Sequence, residues 1–274
     1  MFLATTADQS FWKKDEKILF LGEWCKLFNQ KSVWSQLNYE VLPYHWQSRE
    51  EYFQDYLYLD QLYERWLPAL AENLNTLHDE NHSNRYWRII LGPWLYYFIQ
   101  TCYDRYLSVC KAIASRKVTL TWIPRLKEND FTPKDFSTFG NWQSQDSYNL
   151  YLYSWLIEAM GGVPFEVQNR SIQQKKVPLL ANTGSEGKIK LGLKQIMKIY
   201  SELLPKNHDI ALISLYARKR DIIRLQLSLG QLPNLHTPQI VPSDAALNFQ
   251  LRNKRKVPVG EDEFTSLFSR LLPS

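Results

Sequence analysis

The sequence predicts an α/β fold with a mostly parallel sheet flanked by long helices. Short apolar runs alternate along the chain with longer amphipathic segments, as strands and helices do in such folds. The run at residues 17–22 is almost continuously apolar and ends in glycine, which is typical of a buried parallel strand. Hydrophobic residues make up 45% of the chain and aromatic residues 14%, so the composition is globular with an aromatic excess.

The first half of the chain supplies most of the predicted strands. Residues 2–6 and 39–42 are short and β-prone, and residues 117–123 form a later strand. Ser48 followed by Glu51 has the spacing of a capping box, which predicts a long helix from there to about His78.

Residues 81–105 form the element around which we expect the chain to be organised. They contain seven aromatic residues and three arginines. Ser83 is a suitable N-cap, and apolar residues recur behind it at three- and four-residue spacing. Pro93 removes a donor and crowds the carbonyl of Ile89, so the pattern predicts one buried helix with a kink near Ile89.

The second half is predicted to continue the same pattern. We expect a short helix from Thr132, a helix at residues 144–160, and a loop or linker at 165–187. A helix at 190–204, a buried strand at 209–215, and helices at 221–229 and 264–272 follow, with Gly230 as a helix stop. We therefore divide the chain into a helix-rich α/β core, residues 1–164, and a basic continuation of the same lobe, residues 165–274.

Charge is distributed unevenly along the chain. Residues 165–260 carry 16 lysines and arginines against 6 acids, whereas the whole chain has a net charge of only +5. A basic segment of this kind is solvated by default, but it also suits an anionic ligand, an anionic membrane or nucleic acid. The chain has only three cysteines, which favours a reducing cytoplasm.

No membrane span is predicted. The longest strongly apolar run, residues 89–99, falls short of the roughly 18 residues that a transmembrane helix needs. The first ten residues lack the basic and apolar regions of a signal peptide. We therefore expect a cytoplasmic protein, with contact to the inner face of the membrane left open.

Three charged residues stand out as candidates for chemistry. Glu23 follows the clearest strand, and ligands bind beyond the carboxyl ends of strands in open α/β sheets, so it is a candidate general base or ligand contact. An ordinary capping or ion-paired acid is the alternative. Arg85 and Arg88 share a face near the start of the central helix, where they would either hold a phosphate or carboxylate or pair with acids of the fold.

Two weaker patterns carry no prediction of function. His78 and His82 are four apart, but aspartate rather than glutamate follows His78 and a helix break separates them, so no metal site is predicted. Residues 184–188 resemble a phosphate-binding loop only loosely, because the spacing and the hydroxyl residue after Lys188 are missing.

Several longer runs together resemble one protein family. They are FLATTA at residues 2–7, ILFLGEWC at 18–25, VLPY at 41–44, NHSNRYWRIILGPWL at 81–95 and YDRY at 103–106, with WLIEAMGG at 155–162 as a further point. These runs resemble the N-terminal part of a bacterial family of transferases found in gene clusters for O-antigen and surface polysaccharides. The resemblance is dense to about residue 110.

The resemblance implies a Rossmann-like fold similar to the N-terminal lobe of a two-lobed glycosyltransferase of the GT-B type. Members of the family run on past the position where this chain ends, so this chain is expected to be the acceptor-binding lobe or a truncated copy. A second lobe or a neighbouring subunit would then hold the donor. A sugar nucleotide is implied as co-substrate, with a glycan acceptor and no tightly bound cofactor.

The matched runs also assign roles to residues. Glu23 and His82 are the candidate catalytic bases, and Arg85 and Arg88 would hold a phosphate or an acidic sugar. Trp24 and Tyr44 would stack on a sugar face, and no metal is implied.

The function expected from this resemblance is a glycosyltransferase-like transferase of surface-polysaccharide biosynthesis. The alternatives are a non-catalytic protein that binds a glycan or a partner, and a basic protein that binds nucleic acid or a membrane surface. Nucleic acid is the partner least expected, because the resemblance points to sugars.

Overall fold

The computed structural model describes residues 1–125, 131–170, 199, 217–230, 248–254 and 260–272. The chain divides into two compact units, one formed by residues 1–176 with 247–274 and the other by residues 177–246. The strand predicted at 209–215 and residues 171–187 of the predicted loop lie outside the described residues. Of the helix predicted at 190–204, Ile199 is described, and it is helical.

The described residues of the first unit form a five-stranded sheet in which every strand is parallel to its neighbours. Its strands are β1 (Phe2–Ala4), β2 (Ile18–Phe20), β3 (Tyr39–Val41), β4 (Leu120–Pro124) and β5 (Phe165–Gln168). Their order across the sheet is β3-β2-β1-β4-β5. This is the α/β, Rossmann-like arrangement that the sequence predicts, with the strand order reversing between β1 and β4.

Both faces of the central strands are covered. Every residue of β1 and β2 is buried, although successive side chains point to opposite faces. This explains why their sequences are continuously apolar rather than alternating. The register places Leu3 of β1 beside Leu19 of β2 on one side and beside Thr121 of β4 on the other, so β1 is the central strand of the sheet.

Helices make up most of the rest of the first unit. They are α1 (Lys31–Trp34), α2 (Arg49–His78), α3 (Asn84–Ile90), α4 (Gly92–Ala114), α5 (Phe136–Trp142) and α6 (Asp146–Met160). Near the end of the chain, α8 (Phe249–Asn253) and α9 (Glu263–Leu271) belong to the same unit. The second unit contains α7 (Lys219–Ser228).

The helices form a second core behind the sheet. Residues of α4 and α6, such as Val109 and Ile157, pack against the strands. On their other side α4 and α6 pack with α2, α5 and α9 around Trp66, Phe98 and Phe268. The long helices α4 and α6 therefore belong to both cores. Both cores fix the position of the side chains that these helices present near the carboxyl ends of the strands.

The predicted kink is a break between two helices. Ser83 caps α3 by accepting a hydrogen bond from the amide of Tyr86 at 3.3 Å. Helix α3 ends at Ile90, and α4 begins at Gly92 with Pro93 in its first turn, where a missing amide hydrogen costs nothing. The break is at Leu91, so the prediction placed the bend two residues too early.

One strand was missed. The prediction of a loop from residue 165 is wrong for Phe165–Gln168, which pairs with β4 along its whole length. This strand is at the edge of the sheet formed by the described strands, and its first three residues are exposed. Apolar and polar residues alternate along it, but over only four residues, which is too short to distinguish a strand from a loop. The sheet therefore extends past residue 164.

No helix in the described part of the chain is long and apolar enough to cross a membrane.

Candidate functional site

A cavity of about 480 Å³ opens beyond the carboxyl ends of β2 and β3. Parallel sheets leave a crevice at this edge because the connections to the following helices diverge there. The loops after the two strands supply one wall, and α4 and the start of α6 supply the other. The described residues that line it are Gly22, Glu23, Trp24, Leu42, Tyr44, Asp104, Arg105, Ser144, Asn149 and Tyr153.

Asp104 is the centre of the polar wall. It lies on α4 and is 7% exposed. The Tyr44 hydroxyl donates to its Oδ1 at 2.5 Å, Nε2 of His45 lies 3.1 Å from the same oxygen, and the Arg105 guanidinium binds Oδ2. Burial by itself would raise the pKa of Asp104, but the contact with His45, the charge of Arg105 and the Tyr44 hydrogen bond hold it below its usual range.

Arg105 is fixed by the protein around it. Besides Asp104, it binds the Asn149 side-chain oxygen through Nε at 3.0 Å and the Gln143 carbonyl through Nη2 at 3.3 Å. Each of its three nitrogens therefore donates to a protein oxygen. Because α4 supplies Asp104 and Arg105 while α6 supplies Asn149, this network also joins the two helices beneath the cavity.

Trp24 lies on the other wall in a tightly fitted position. Its ring stacks on Tyr153, with 6.0 Å between centroids and 7° between planes. A Cβ on Gly22 would be only 2.1 Å from the Trp24 ring, so only glycine leaves room for the indole. The φ of Gly22 is −174°, which any residue can adopt, so the requirement is for space alone.

Glu23 stands at the rim of the cavity, in a single 3-10 turn that begins after Gly22. Its side chain is 77% exposed and forms an ion pair with Lys26, at 3.0 Å. Exposure leaves much of the carboxylate free to accept hydrogen bonds from a ligand.

Asp146 anchors the first turn of α6 near the carboxyl end of β1. It accepts hydrogen bonds from the Thr6 hydroxyl at 2.5 Å and from the Ala7 amide at 3.1 Å. Burial raises the pKa of Asp146 despite these two bonds. The contact holds the start of α6, and with it Asn149, against the sheet.

The structure brings three of the six predicted site residues together. Glu23, Trp24 and Tyr44 line the cavity. His82, Arg85 and Arg88 do not line it, nor do they line a second, mainly apolar cavity of about 240 Å³ between α3, α4, α5 and α6. The roles predicted for these three residues stay predictions.

The surroundings of those three residues are nevertheless informative. Arg88 binds both carboxylate oxygens of Glu64 on α2, at 2.6 and 2.7 Å. Arg88 is therefore paired with an acid of the fold, which was the alternative to anion binding. His82 stacks on Tyr86 with 3.9 Å between ring centroids, at the turn between α2 and α3. Arg85 is exposed, and no ion pair of it is seen among the described residues.

Sequence reasoning missed His45, Asp104 and Arg105 as members of the site. Asp104 and Arg105 lie in the run YDRY, which carried part of the family resemblance but no assigned role. The available signal was an adjacent pair of opposite charges inside a helix whose neighbouring turns are apolar. Such a pair is costly to bury unless it is hydrogen-bonded, so it often marks a site.

Among the described residues, no three side chains of His, Cys, Asp or Glu lie together as metal ligands would.

The fold and the cavity define a class: a Rossmann-like α/β protein with an aromatic and polar cavity at the carboxyl ends of its parallel strands. Comparison with protein-family models shows to which family the chain belongs. The model of the LIC12162 family transferase matches residues 1–274, so the chain belongs to this family of transferases. Neither the search of curated proteins nor the search of solved structures found a match.

Proposed function

We propose that this chain takes part in the transfer of a glycosyl group from a sugar nucleotide to a glycan acceptor, in the biosynthesis of O-antigen or another surface polysaccharide. The cavity at the strand ends carries the proposal, because it combines an exposed carboxylate, three aromatic rings and a fixed polar network. Membership of a transferase family supports the general reaction class. The particular reaction rests on the sequence resemblance and on the chemistry of this cavity.

In the proposed reaction, Glu23 acts as the general base. The acceptor hydroxyl passes its proton to the Glu23 carboxylate as its oxygen bonds to the anomeric carbon of the donor sugar. The bond from that carbon to the phosphate oxygen breaks, and its electron pair leaves with the nucleotide. An exposed carboxylate at the rim of a cavity can reach a bound hydroxyl in this way.

The other cavity residues position the acceptor in this proposal. Trp24 and Tyr44 offer aromatic surface to a sugar ring, and Asp104 holds the Tyr44 hydroxyl in place. A second lobe or a partner subunit would supply the donor site, as in two-lobed glycosyltransferases. No step is assigned to His82, Arg85 or Arg88.

We place the reaction in the cytoplasm, at the inner face of the membrane if the acceptor is lipid-linked. All three cysteines are free, which supports a reducing compartment. Burial raises the pKa of Cys25 and Cys102, so neither thiol is suited to act as a nucleophile.

The proposal is tested by measuring nucleotide release. The full chain is incubated with a panel of UDP-, GDP-, dTDP- and CMP-sugars and a lipid extract from a polysaccharide-producing bacterium. We expect release from one donor, reduced about 10²- to 10⁴-fold in Glu23→Gln, because a general base contributes on that order. Glu72→Gln, an exposed acid on α2, is the matched control and should behave as wild type.

Two results would contradict the proposal. One is that no donor yields nucleotide above the level without this chain, either with the chain alone or with cell extract that supplies a second lobe or partner subunit. The other is that Glu23→Gln releases nucleotide as fast as wild type does, which would show that Glu23 is not the general base.

A further inference from the structure

The second cavity, between α3, α4, α5 and α6, is separate from the site at the strand ends. None of the described residues that line it also lines the first cavity. Its volume of about 240 Å³ is notable, because well-packed protein interiors contain few voids larger than a water molecule. Its buried described lining is aromatic and aliphatic: Phe98, Phe131, Tyr148, Tyr151 and Leu152.

Stacked rings keep the walls of this apolar cavity apart. Phe131 stacks on Tyr151 with 4.5 Å between centroids and 5° between planes, and Trp94 stacks on Phe98 at 4.9 Å and 15°. Aromatic side chains have few rotatable bonds, so they do not fold into the space as a flexible side chain would. An apolar ligand would supply the dispersion contacts that the lining lacks on its open side.

The mouth of the apolar cavity is formed by two exposed side chains. Ile90, at the end of α3, and Phe136, at the start of α5, both line it and are 60% and 43% exposed. The exposed ring of Tyr97 stacks on Phe136, with 6.0 Å between centroids. A ligand that entered here would cover apolar surface at the mouth as well as inside, which suits a long aliphatic group.

Positive charge predominates beside the mouth. The described charged residues of the lining are Lys134, Asp135 and Arg252. Asp135 is used as the N-cap of α5, where its carboxylate accepts from the Thr138 amide at 2.7 Å. Arg252 donates to the carbonyls of Pro133, at 3.2 Å, and Lys134, at 3.3 Å. Two cations and one capping carboxylate beside an apolar opening suit an anionic head group.

We propose that the apolar cavity binds the aliphatic tail of a lipid phosphate, with the tail between the stacked rings and the phosphate beside Lys134 and Arg252. This inference goes beyond the proposed function, because it assigns a second site in another part of the fold. In the proposed transfer reaction the lipid would carry the acceptor glycan, and that role alone rests on the proposed function.

Alkyl phosphates test this site directly. Inorganic phosphate and butyl, hexyl, octyl and decyl phosphate share one head group and differ in tail length, and 1-octanol has the tail without the charge. Each is added below its critical micelle concentration to the whole polypeptide, labelled at tryptophan indole nitrogens for NMR. The chain has 10 tryptophans, and the signal of Trp94 is assigned from its loss in Trp94→Phe.

We expect octyl phosphate to shift the Trp94 signal and inorganic phosphate to leave it unchanged. Affinity should rise about fourfold per added methylene until the tail fills the cavity. 1-Octanol should bind about two- to fivefold more weakly than octyl phosphate, because exposed charge contacts contribute little.

Two neighbouring isoleucines of α3 provide a matched pair of variants. Ile90→Asn should weaken binding of octyl phosphate about fivefold, since it removes apolar surface that the tail would cover. Ile89→Asn is the control, because Ile89 is 65% exposed but is not among the described residues that line the cavity. It should change the affinity by less than about twofold.

Three results would overturn the inference. Octyl phosphate could leave the Trp94 signal in place, or inorganic phosphate could shift it as strongly as octyl phosphate does. Equal weakening by Ile89→Asn and Ile90→Asn would show that the exposed face of α3, and not the cavity, holds the tail. None of these results bears on nucleotide release, and a failure to release nucleotide would leave this site standing, so the two experiments fail separately.

Discussion

At the scale of single residues, Asp104 is the group on which the site depends most. Asp104→Asn leaves Arg105 without its charged partner in a largely buried position. We expect the free energy of unfolding at pH 7 to fall by about 2–4 kcal/mol, since breaking a buried pair on one side is costly. Denaturant unfolding measures this, and Asp15→Asn in an exposed turn is the control, which should change stability by less than about 0.5 kcal/mol.

The stability that Asp104 contributes should also depend on pH. The folded-state pKa of Asp104 lies below its usual range, so its contribution is complete above the unfolded pKa of about 4 and is lost as pH falls through the folded pKa. The stability difference between wild type and Asp104→Asn should therefore shrink below about pH 4. A difference that stays constant down to pH 3 would show that the charge of Asp104 is not what stabilises the fold.

Gly22 permits the position of Trp24, and this can be tested independently of charge. Gly22→Ala places a Cβ against the indole, so the ring must leave its stack on Tyr153. We expect a change in near-ultraviolet circular dichroism and a loss of sugar binding, at a stability cost of about 1–3 kcal/mol. Unchanged dichroism and unchanged binding would mean that the backbone around Gly22 moves to accommodate the Cβ while the Trp24 ring keeps its position. Gly140→Ala, where a Cβ meets nothing within 4 Å, is the control.

At the scale of elements, the junction between α3 and α4 depends on Gly92 more than on Pro93. A Cβ on Gly92 would lie 2.5 Å from the Tyr63 hydroxyl oxygen, and Tyr63 is packed in the helical core. We expect Gly92→Ala to lower stability by about 1–2 kcal/mol. Pro93→Ala, in the first turn of α4, should change it by about 0.5 kcal/mol or less. Thermal unfolding of both variants tests this, and a larger effect at Pro93 would contradict it.

Some of the helices and strands could be predicted from the sequence, and others could not. Buried strands such as β2, and helices with a cap such as Ser48, were predicted because their signals are local. The edge strand β5 was missed because its alternation of apolar and polar residues extends over only four positions. The Asp104 network was missed for a different reason: its partners, Tyr44 and Asn149, lie 60 and 45 positions away in the chain, and only the fold brings them together.

At the scale of the whole molecule, the first unit closes on itself through the end of the chain. Helix α9 packs on α2, α4 and α6, and Tyr58 and Tyr106 donate to Asp262 and Glu263 at 2.7 and 3.1 Å. A segment more than 150 positions away in sequence thus completes the core that supports α4. The cavity depends on this core, because α4 supplies both Asp104 and Arg105.

This dependence gives a prediction about cooperativity. Phe268 of α9 is 1% exposed and contacts the rings of Trp66 and Phe98. Phe268→Ala should lower the free energy of unfolding by about 3–5 kcal/mol, the usual cost of removing a buried aromatic side chain. Ser266→Ala on the exposed face of the same helix should have an effect below about 0.5 kcal/mol.

Hydrogen exchange separates a local effect from a cooperative one. If α9 folds together with the core, Phe268→Ala lowers protection in α2 and α4 by the same free energy as in α9. If only the amides of α9 exchange faster, the helix opens by itself and the cavity does not depend on it. We expect the first result, because the ring of Phe268 lies between side chains of α2 and α4, and its removal leaves a cavity that both helices line.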